Sequence, residues 1–205
     1  MRSLRSYASN VEAAKKTEFV FHLPQLSRRA QKFLRERSYP LIVKKREILI
    51  KQGEVTDCFF YLRNGALREY ITADKIQYTT MLIGETNTTP NFMDFYFCQP
   101  TNCTLQAAAD SIVDVIHLND IYDLFTGSYK GNETVQSFAT LMRAKYIDQS
   151  VLLRWHVKRR YKYFAEHYGD LINMVPHKYI ACYLGMASET FSRLHNRHPM
   201  PINPL

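Results

Sequence analysis

The spacing of the hydrophobic residues changes partway along the chain, and this change limits the fold more than any other feature. Between residues 41 and 118, short runs rich in β-branched and aromatic residues alternate with turn residues, a pattern typical of a β-sandwich or barrel. From residue 119 onward, apolar residues recur every three or four positions, as they do along amphipathic helices. The sequence therefore predicts an α+β protein with its strands first and most of its helices last.

Three turns are predicted within the β region. Asn64-Gly65 favours a two-residue hairpin between strands 58–63 and 66–72, because both residues tolerate the positive φ of a type I′ turn. The other two turns are Ala73-Asp74-Lys75 before strand 76–83, and Asp110-Ser111 between strands 104–109 and 112–118.

An amphipathic helix is predicted before the β region. Its apolar residues are Leu23, Leu26, Ala30, Phe33 and Leu34, and it ends before Pro40. The first sixteen or so residues are polar and basic, and we expect them to be mobile.

Charge is distributed unevenly along the 205 residues. The net charge is +8 overall, but residues 1–50 carry 12 Lys and Arg against 4 Asp and Glu, residues 51–140 carry 5 against 11, and residues 141–205 carry 10 against 4. An acidic middle between two basic ends is expected when only part of a chain meets a polyanion. A merely solvated basic surface would give the same count.

Neither the cysteines nor the histidines form a ligand pattern. The four cysteines lack CxxC spacing, so we expect them to be reduced, and we predict no cofactor, metal site or catalytic residue. The seven histidines are scattered and only His117 falls in the β region, which disfavours the alternative of a cupin-type metalloenzyme. The longest apolar run has six residues, so we expect no membrane contact and a cytoplasmic protein.

A long helix is predicted from residue 132 to 155. Six residues at alternating steps of four and three form a coiled-coil seam that we assign to a homodimer interface: Val135, Ala139, Met142, Tyr146, Gln149 and Leu153. A second apolar face, Phe138, Leu141 and Leu152, can pack on the β region. The alternative is a helix buried entirely within one chain.

Residues 178–196 match the helix-turn-helix pattern. Gly185 provides a left-handed turn residue, and Ala181, four residues earlier, lets the helices cross closely. The predicted core of this unit consists of Ile180, Ala181, Leu184, Gly185, Phe191 and Leu194.

Residues 176–194, PHKYIACYLGMASETFSRL, resemble the DNA-binding segment of the Crp/Fnr transcription regulators. The order of the predicted elements upstream, with Gly53 and the run YLRNGALR at 61–68, is also similar to that of the family. The resemblance covers residues 20–197. It implies a bacterial regulator with a double-stranded β-helix (jelly-roll) sensor domain at 1–130, a dimerisation helix at 131–156 and a small all-α helix-turn-helix domain at 157–205. It further implies that double-stranded DNA is a binding partner, and we expect RNA polymerase to be a second partner.

The resemblance assigns base reading to Ser188, Glu189 and Arg193. Arg can bind guanine with two hydrogen bonds, and Glu can accept one from cytosine. The alternative for Glu189 and Arg193 is an ordinary i,i+4 ion pair. Candidate phosphate contacts are His177, Lys178, Thr190, Ser192 and Arg197.

The sensor region departs from the family. The Gly-Glu pair of cyclic-nucleotide binders falls on Pro90-Asn91, and their Arg-Ser pair falls on Thr101-Asn102. Without that Arg the cyclic phosphate has no bidentate cationic partner, so we expect no cyclic AMP binding. Asn91, Thr101 and Asn102 remain candidates for the pocket of an unknown small-molecule effector.

The C-terminal tail departs as well. Three prolines among residues 199–204 leave no β-hairpin wing, so we expect DNA contacts from the helix-turn-helix, from the basic run at 158–160 and from the N-terminal arm. A protein of the same fold that senses a ligand or acts as a scaffold without binding DNA is the remaining alternative.

Overall fold

The computed structural model describes residues 27–84, 87–88, 94, 97–126, 140, 143 and 146–197. Its strands are β1 Tyr39–Val43, β2 Ile48–Ile50, β3 Cys58–Asn64, β4 Leu67–Ala73, β5 Ile76–Ile83, β6 Asn87–Thr88, β7 Thr104–Ala107 and β8 Ser111–His117. Its helices are α1 Arg28–Arg37, α2 Leu118–Thr126, α3 Val157–His167, α4 Gly169–Met174, α5 His177–Tyr183 and α6 Ser188–Arg197. Residues 146–152 are also helical, so the helix predicted to reach residue 155 ends at Leu152.

The strands form two four-stranded antiparallel sheets. Sheet A has the order β1-β8-β3-β6, and sheet B has the order β2-β7-β4-β5. One cluster of buried residues draws on both sheets: Leu41, Val43, Ile50, Cys58, Phe60, Leu62, Leu67, Met81, Ile83, Leu105, Ala107, Val113 and Val115. Burial of this apolar surface between the sheets holds the β-roll together, and the predicted α+β class is confirmed.

The predicted hairpin at Asn64-Gly65 is wrong. β3 pairs with β6 and β8, whereas β4 pairs with β5 and β7, so these two residues cross from one sheet to the other. Gly65 does adopt a positive φ of 97°, and a Cβ there would lie 2.5 Å from the Asp110 carbonyl oxygen. The glycine is needed for a close corner rather than for a hairpin turn.

The predicted pairing of strands 104–109 and 112–118 is also wrong. β7 pairs with β2 and β4, and β8 pairs with β1 and β3. The Asp110 carboxylate instead accepts hydrogen bonds from the Lys45 backbone N–H at 2.8 Å and from Lys44 Nζ at 3.0 Å. The chain at this point therefore crosses between the sheets as well.

The third predicted turn is correct. β4 and β5 form an antiparallel hairpin, and its turn residues Asp74 and Lys75 have φ values of 50° and 65°. Positive φ at both central positions is the requirement of a type I′ turn.

The helix bounds differ slightly from prediction. Helix α1 is capped by Ser27, whose Oγ accepts from the Ala30 N–H, and it ends before Pro40 as predicted; Leu23, Leu26 and the first sixteen residues lie outside the described residues. The sequence also predicts a basic helix over residues 157–168 that Gly169 ends; in the structure α3 ends at His167, and Gly169 begins α4.

The C-terminal helices pack on the outside of sheet B. A second buried cluster joins residues of the roll, namely Ala66, Leu82 and Ala108, to Leu152 and to eleven buried residues of α3–α6 and the loops between them. The roll and the helices therefore share one apolar core across their junction. In the part of the chain that the structure describes, no helix is long and apolar enough to cross a membrane.

Candidate nucleic-acid interface

The last two helices pack against each other through the residues predicted to form their core. Five of them are buried, with exposed fractions of 0–7%: Ile180, Ala181, Leu184, Phe191 and Leu194. This apolar spacing gives α6 an inward-facing side and leaves Ser188, Glu189 and Arg193 on its outer side.

The sixth core residue, Gly185, forms the turn between α5 and α6. Its φ is +61°, a conformation that costs other L-residues about 1–2 kcal/mol. The guanidinium of Arg160 closes the turn, since its Nη1 donates to the carbonyl oxygens of Leu184 at 2.5 Å and Gly185 at 2.9 Å. Arg160 also donates from Nε to the Trp155 carbonyl oxygen.

Arg160 is therefore engaged in hydrogen bonds within the chain, unlike Lys158 and Arg159 of the same basic run. Its guanidinium is occupied by three backbone carbonyls, whereas Lys158 is exposed. The exposed Arg159 stacks on Trp155, with its guanidinium carbon 4.0 Å from the ring centroid. Only two of the three residues predicted from this run as DNA contacts remain available to a ligand.

The three predicted base-reading residues lie on the exposed face of α6. Ser188, Glu189 and Arg193 are all exposed. Glu189 and Arg193 are four residues apart, yet neither forms an ion pair within the part of the chain that the structure describes. The outer face of α6 thus presents an acceptor and a cationic donor to solvent.

The predicted phosphate contacts surround this face with different exposure. Lys178 and Arg197 are exposed, whereas His177, Thr190 and Ser192 are half-buried.

Aromatic and imidazole rings fix α6 against α3. Tyr161 of α3 places its hydroxyl 3.1 Å from His195 Nδ1, and its ring lies 5.6 Å from that of Phe191. The His177 ring is 4.9 Å from that of His195. Burial, with a smaller contribution from His177, lowers the pKa of His195 below its usual value.

Helix α5 also contacts sheet B, which the sequence did not predict. The Thr79 N–H of β5 donates to Cys182 Sγ at 3.1 Å. Arg68 of β4 is only 2% exposed, and its guanidinium carbon lies 3.6 Å from the Tyr179 ring centroid and 4.1 Å from that of Tyr70. The helix pair is therefore bonded to the sheet through polar as well as apolar contacts.

The predicted dimer seam is only partly described. Tyr146 and Leu153 are exposed and Gln149 is half-buried, whereas Val135, Ala139 and Met142 lie outside the described residues. Ile147 and Val151, which the predicted seam did not include, are 48% and 43% exposed.

Leu152 faces the opposite way from these side chains. It is 2% exposed within the cluster that joins the roll to the helices, as expected for the second apolar face. The other two predicted residues of that face, Phe138 and Leu141, lie outside the described residues.

The predicted effector-pocket residues are only partly described. The Thr101 carbonyl oxygen accepts from the Gly53 N–H at 2.7 Å, its N–H donates to the Glu54 carbonyl oxygen, and its hydroxyl accepts from the Cys103 N–H. Asn102 is exposed, and Asn91 lies outside the described residues. Thr101 therefore holds two loops together.

A carboxylate lies within the roll instead. Glu69 is 3% exposed and pairs across the strands with Met81 of the intersheet cluster. Its Oε1 accepts from the Thr80 hydroxyl at 2.7 Å, and burial raises the pKa of its carboxyl group above the usual value.

These features together define a class of structure, a two-sheet β-roll that carries a C-terminal helix pair with an exposed polar face. Solved structures similar to this chain include a putative Crp/Fnr-family transcriptional regulator, a catabolite activator protein and a cyclic-nucleotide-binding domain. The chain therefore shares the fold of these proteins.

Three of these structures illustrate the extent of the match. FixK2 from Bradyrhizobium japonicum is 14% identical and matches 82% of this chain and 89% of its own, with a TM-score of 0.67. The c-di-GMP-responsive regulator CLP from Xanthomonas campestris is 12% identical over 83% and 91%, with a TM-score of 0.61. A protein from Eubacterium rectale assigned to the Crp/Fnr family is 17% identical over 85% and 84%, with a TM-score of 0.62. No family model and no curated protein sequence matches the chain.

Proposed function

We propose that the protein is a DNA-binding transcription regulator of the Crp/Fnr type. The observation that carries this proposal is the asymmetry of α6, which buries Phe191 and Leu194 while it exposes Ser188, Glu189 and Arg193. An exposed helix of this kind enters the major groove, where Arg binds guanine O6 and N7 and Glu accepts from cytosine N4.

In this proposal the polar residues around α6 position the helix on the DNA backbone. Lys178 and Arg197 bind phosphates through their charge, and His177, Thr190 and Ser192 do so through hydrogen bonds. The basic residues Lys158 and Arg159 extend the same surface. Such contacts raise affinity for every sequence and make it dependent on salt.

The active form is a homodimer joined through the helix at 131–156, between a sensor domain at 1–130 and a DNA-binding domain at 157–205. The exposed Tyr146, Ile147 and Val151 support this assignment, because apolar side chains on an exposed helix face are stabilised by a partner helix. Two copies place their α6 helices about 34 Å apart, which is one turn of DNA, so the target is a pseudo-palindrome.

Control passes from the roll to the helix pair through α5. Because Arg68 and Thr79 of sheet B contact Tyr179 and Cys182 of α5, an effector that favours one arrangement of sheet B shifts the position of the DNA-binding helices. RNA polymerase is the partner that then responds at the promoter.

The experiment is selection of the purified chain against a random pool of duplex DNA at about 0.15 M salt, since nonspecific binding depends on salt. Enrichment of a two-fold-related motif with half-sites one turn apart is expected. Light scattering of the same preparation should give twice the chain mass, and Val151→Glu should shift it to the monomer. No enriched motif, with or without cell extract as an effector source, would favour a scaffold of the same fold that does not bind DNA.

A further inference from the structure

Three side chains with metal-binding atoms meet where β3 begins and β8 ends. Cys58, the first residue of β3, is the cross-strand partner of His117, the last residue of β8. Asp57 precedes Cys58, and its carbonyl oxygen accepts from the Leu118 N–H at 2.8 Å. Strand pairing and this hydrogen bond therefore hold the three residues together.

Two of the three distances between their side-chain atoms match those of a tetrahedral metal site. Cys58 Sγ lies 3.5 Å from His117 Nδ1 and 3.4 Å from Asp57 Oδ1, and ligand atoms of all three residues lie within 4.8 Å of one another. Bonds of about 2.3 Å to sulfur and about 2.0 Å to nitrogen or oxygen place tetrahedral ligands about 3.5 Å apart. We propose that Asp57, Cys58 and His117 bind a zinc ion.

The donor set selects the metal. A thiolate, an imidazole and a carboxylate suit Zn²⁺, whereas Mg²⁺ and Ca²⁺ require oxygen ligands. Three protein ligands leave the fourth position to a water molecule. Binding replaces the thiol proton of Cys58, which passes to solvent as the zinc–sulfur bond forms.

The surroundings suit a site that is held firmly and reached from solvent. Cys58 is buried, His117 is half-buried and Asp57 is exposed, so the ion enters on the side of the carboxylate. The Cys58 N–H donates to Thr56 Oγ1 at 3.1 Å, and the Tyr39 ring lies 5.8 Å from that of His117. Within the described ranges, no other group of His, Cys, Asp and Glu residues meets in this way.

The proposed zinc site does not depend on DNA binding. It replaces the sequence-based expectation of a chain without a metal site. A bound ion links the start of β3 to the end of β8, which continues directly into α2 at Leu118. It therefore fixes one end of sheet A relative to that helix. The DNA-contacting residues take no part in it.

The test is a titration of the reduced full-length chain with Zn²⁺ in competition with a chromophoric chelator. One equivalent should bind with a dissociation constant below about 1 µM. Co²⁺ in place of Zn²⁺ should give a thiolate-to-metal charge-transfer band in the near ultraviolet and the intense visible bands of tetrahedral coordination.

Variants separate this site from adventitious binding. Cys58→Ser and His117→Gln should each weaken Zn²⁺ binding at least about tenfold, and Cys58→Ser should abolish the charge-transfer band. Asp57→Asn alters only an exposed side chain, so it should weaken binding without loss of fold, as circular dichroism will check. Cys98→Ser is the control, because it removes an exposed thiol elsewhere and should leave binding unchanged.

Two outcomes would overturn the proposal. Wild-type binding weaker than about 100 µM would mean that the three side chains are joined by thiol hydrogen bonds only. Equal Zn²⁺ affinity in the wild type, Asp57→Asn and a folded Cys58→Ser variant would place the bound ion elsewhere in the chain.

Discussion

Tyr179 of α5 lies on the guanidinium group of Arg68 in β4, with the guanidinium carbon 3.6 Å from the centre of its ring. Arg68 has no carboxylate partner in the described structure. Its Nε donates to Gln106 Oε1 at 2.9 Å and its Nη2 donates to Gln77 Oε1 at 2.6 Å. A buried cation is thus stabilised by two amide oxygens and by aromatic rings, one of which belongs to the α5–α6 helix pair.

This contact should contribute measurably to the stability of the whole chain. Arg68→Met keeps the side-chain length but leaves two glutamine oxygens without their donor, so we expect a loss of about 1–3 kcal/mol in the free energy of unfolding. A double-mutant cycle with Tyr179→Leu in urea denaturation should give a coupling of about 0.5–2 kcal/mol. Tyr179→Phe is the control, since it keeps the ring, and additive effects of the first two changes would rule out the cation–π contact.

Gly185 should tolerate no side chain. A Cβ there would lie 2.9 Å from Arg160 Nη1 and 2.9 Å from Leu153 Cδ2, in a backbone with φ of +61°. We therefore expect Gly185→Ala to lower the free energy of unfolding by about 2–4 kcal/mol. Denaturant unfolding of the purified variant measures this.

Gly169 provides the matched control for that change. It begins α4, and a Cβ at this position would meet nothing within 4 Å. Gly169→Ala should leave stability unchanged or raise it by up to about 1 kcal/mol. Equal losses for the two variants would contradict the role of the turn.

Acidification should destabilise the helix pair through His195. Burial and the nearby His177 lower the pKa of His195 in the folded chain, whereas the unfolded chain takes up the proton near pH 6.5. The stability from neutral His195 is therefore present above about pH 6.5 and lost as the pH falls below it.

The measurement is the urea midpoint of the wild type and of His195→Gln between pH 8 and pH 5. The variant keeps a polar group near the Tyr161 hydroxyl but has no proton to gain, so its midpoint should fall less on acidification. Parallel midpoints at every pH would exclude His195 as the source. His156→Gln is the matched control.

The structural features that could be predicted from the sequence are those determined by residues close together in the chain. The turn at Asp74-Lys75, the end of α1 before Pro40 and the core around Gly185 all follow from patterns shorter than about twenty residues. In each case backbone geometry and helical spacing within the segment are enough to specify the local structure.

The remainder depends on contacts between distant segments. Asn64-Gly65 has the composition of a hairpin, but its flanking strands find better apolar partners in opposite sheets. Cys58 and His117, and likewise Arg68 and Tyr179, become neighbours only after strands pair and helices dock. No local spacing signals these contacts, although an arginine within an otherwise apolar strand is a sign of a buried partner.

Cyclic AMP should not bind the roll. The ligand carries a negative charge, and the buried side chain of Glu69 on the inner face supplies no cation to balance it. Thr101, which the sequence resemblance aligns with the phosphate-binding Arg of cyclic-nucleotide binders, has its polar atoms in hydrogen bonds. Calorimetric titration at micromolar concentrations should therefore show no saturable heat.

The control for this titration is Glu69→Gln. Loss of the carboxylate still provides no cationic partner for the phosphate, so this variant should also give no saturable heat with cyclic AMP. Saturable heat in the wild type would contradict the prediction that Thr101-Asn102, without the Arg, cannot bind the cyclic phosphate.

Arg193 should read a base and not a phosphate. Its side chain is exposed on α6 without an ion-pair partner in the described part of the chain, so it is free to donate two hydrogen bonds to guanine. Arg193→Ala should weaken binding to the selected site by about 1–3 kcal/mol while binding to random DNA changes little. Lys32→Ala, which removes one exposed charge from α1, is the control and should leave the ratio of specific to nonspecific affinity unchanged. Fluorescence anisotropy on both DNAs at fixed salt measures that ratio, and an equal loss on the two DNAs would make Arg193 a phosphate contact.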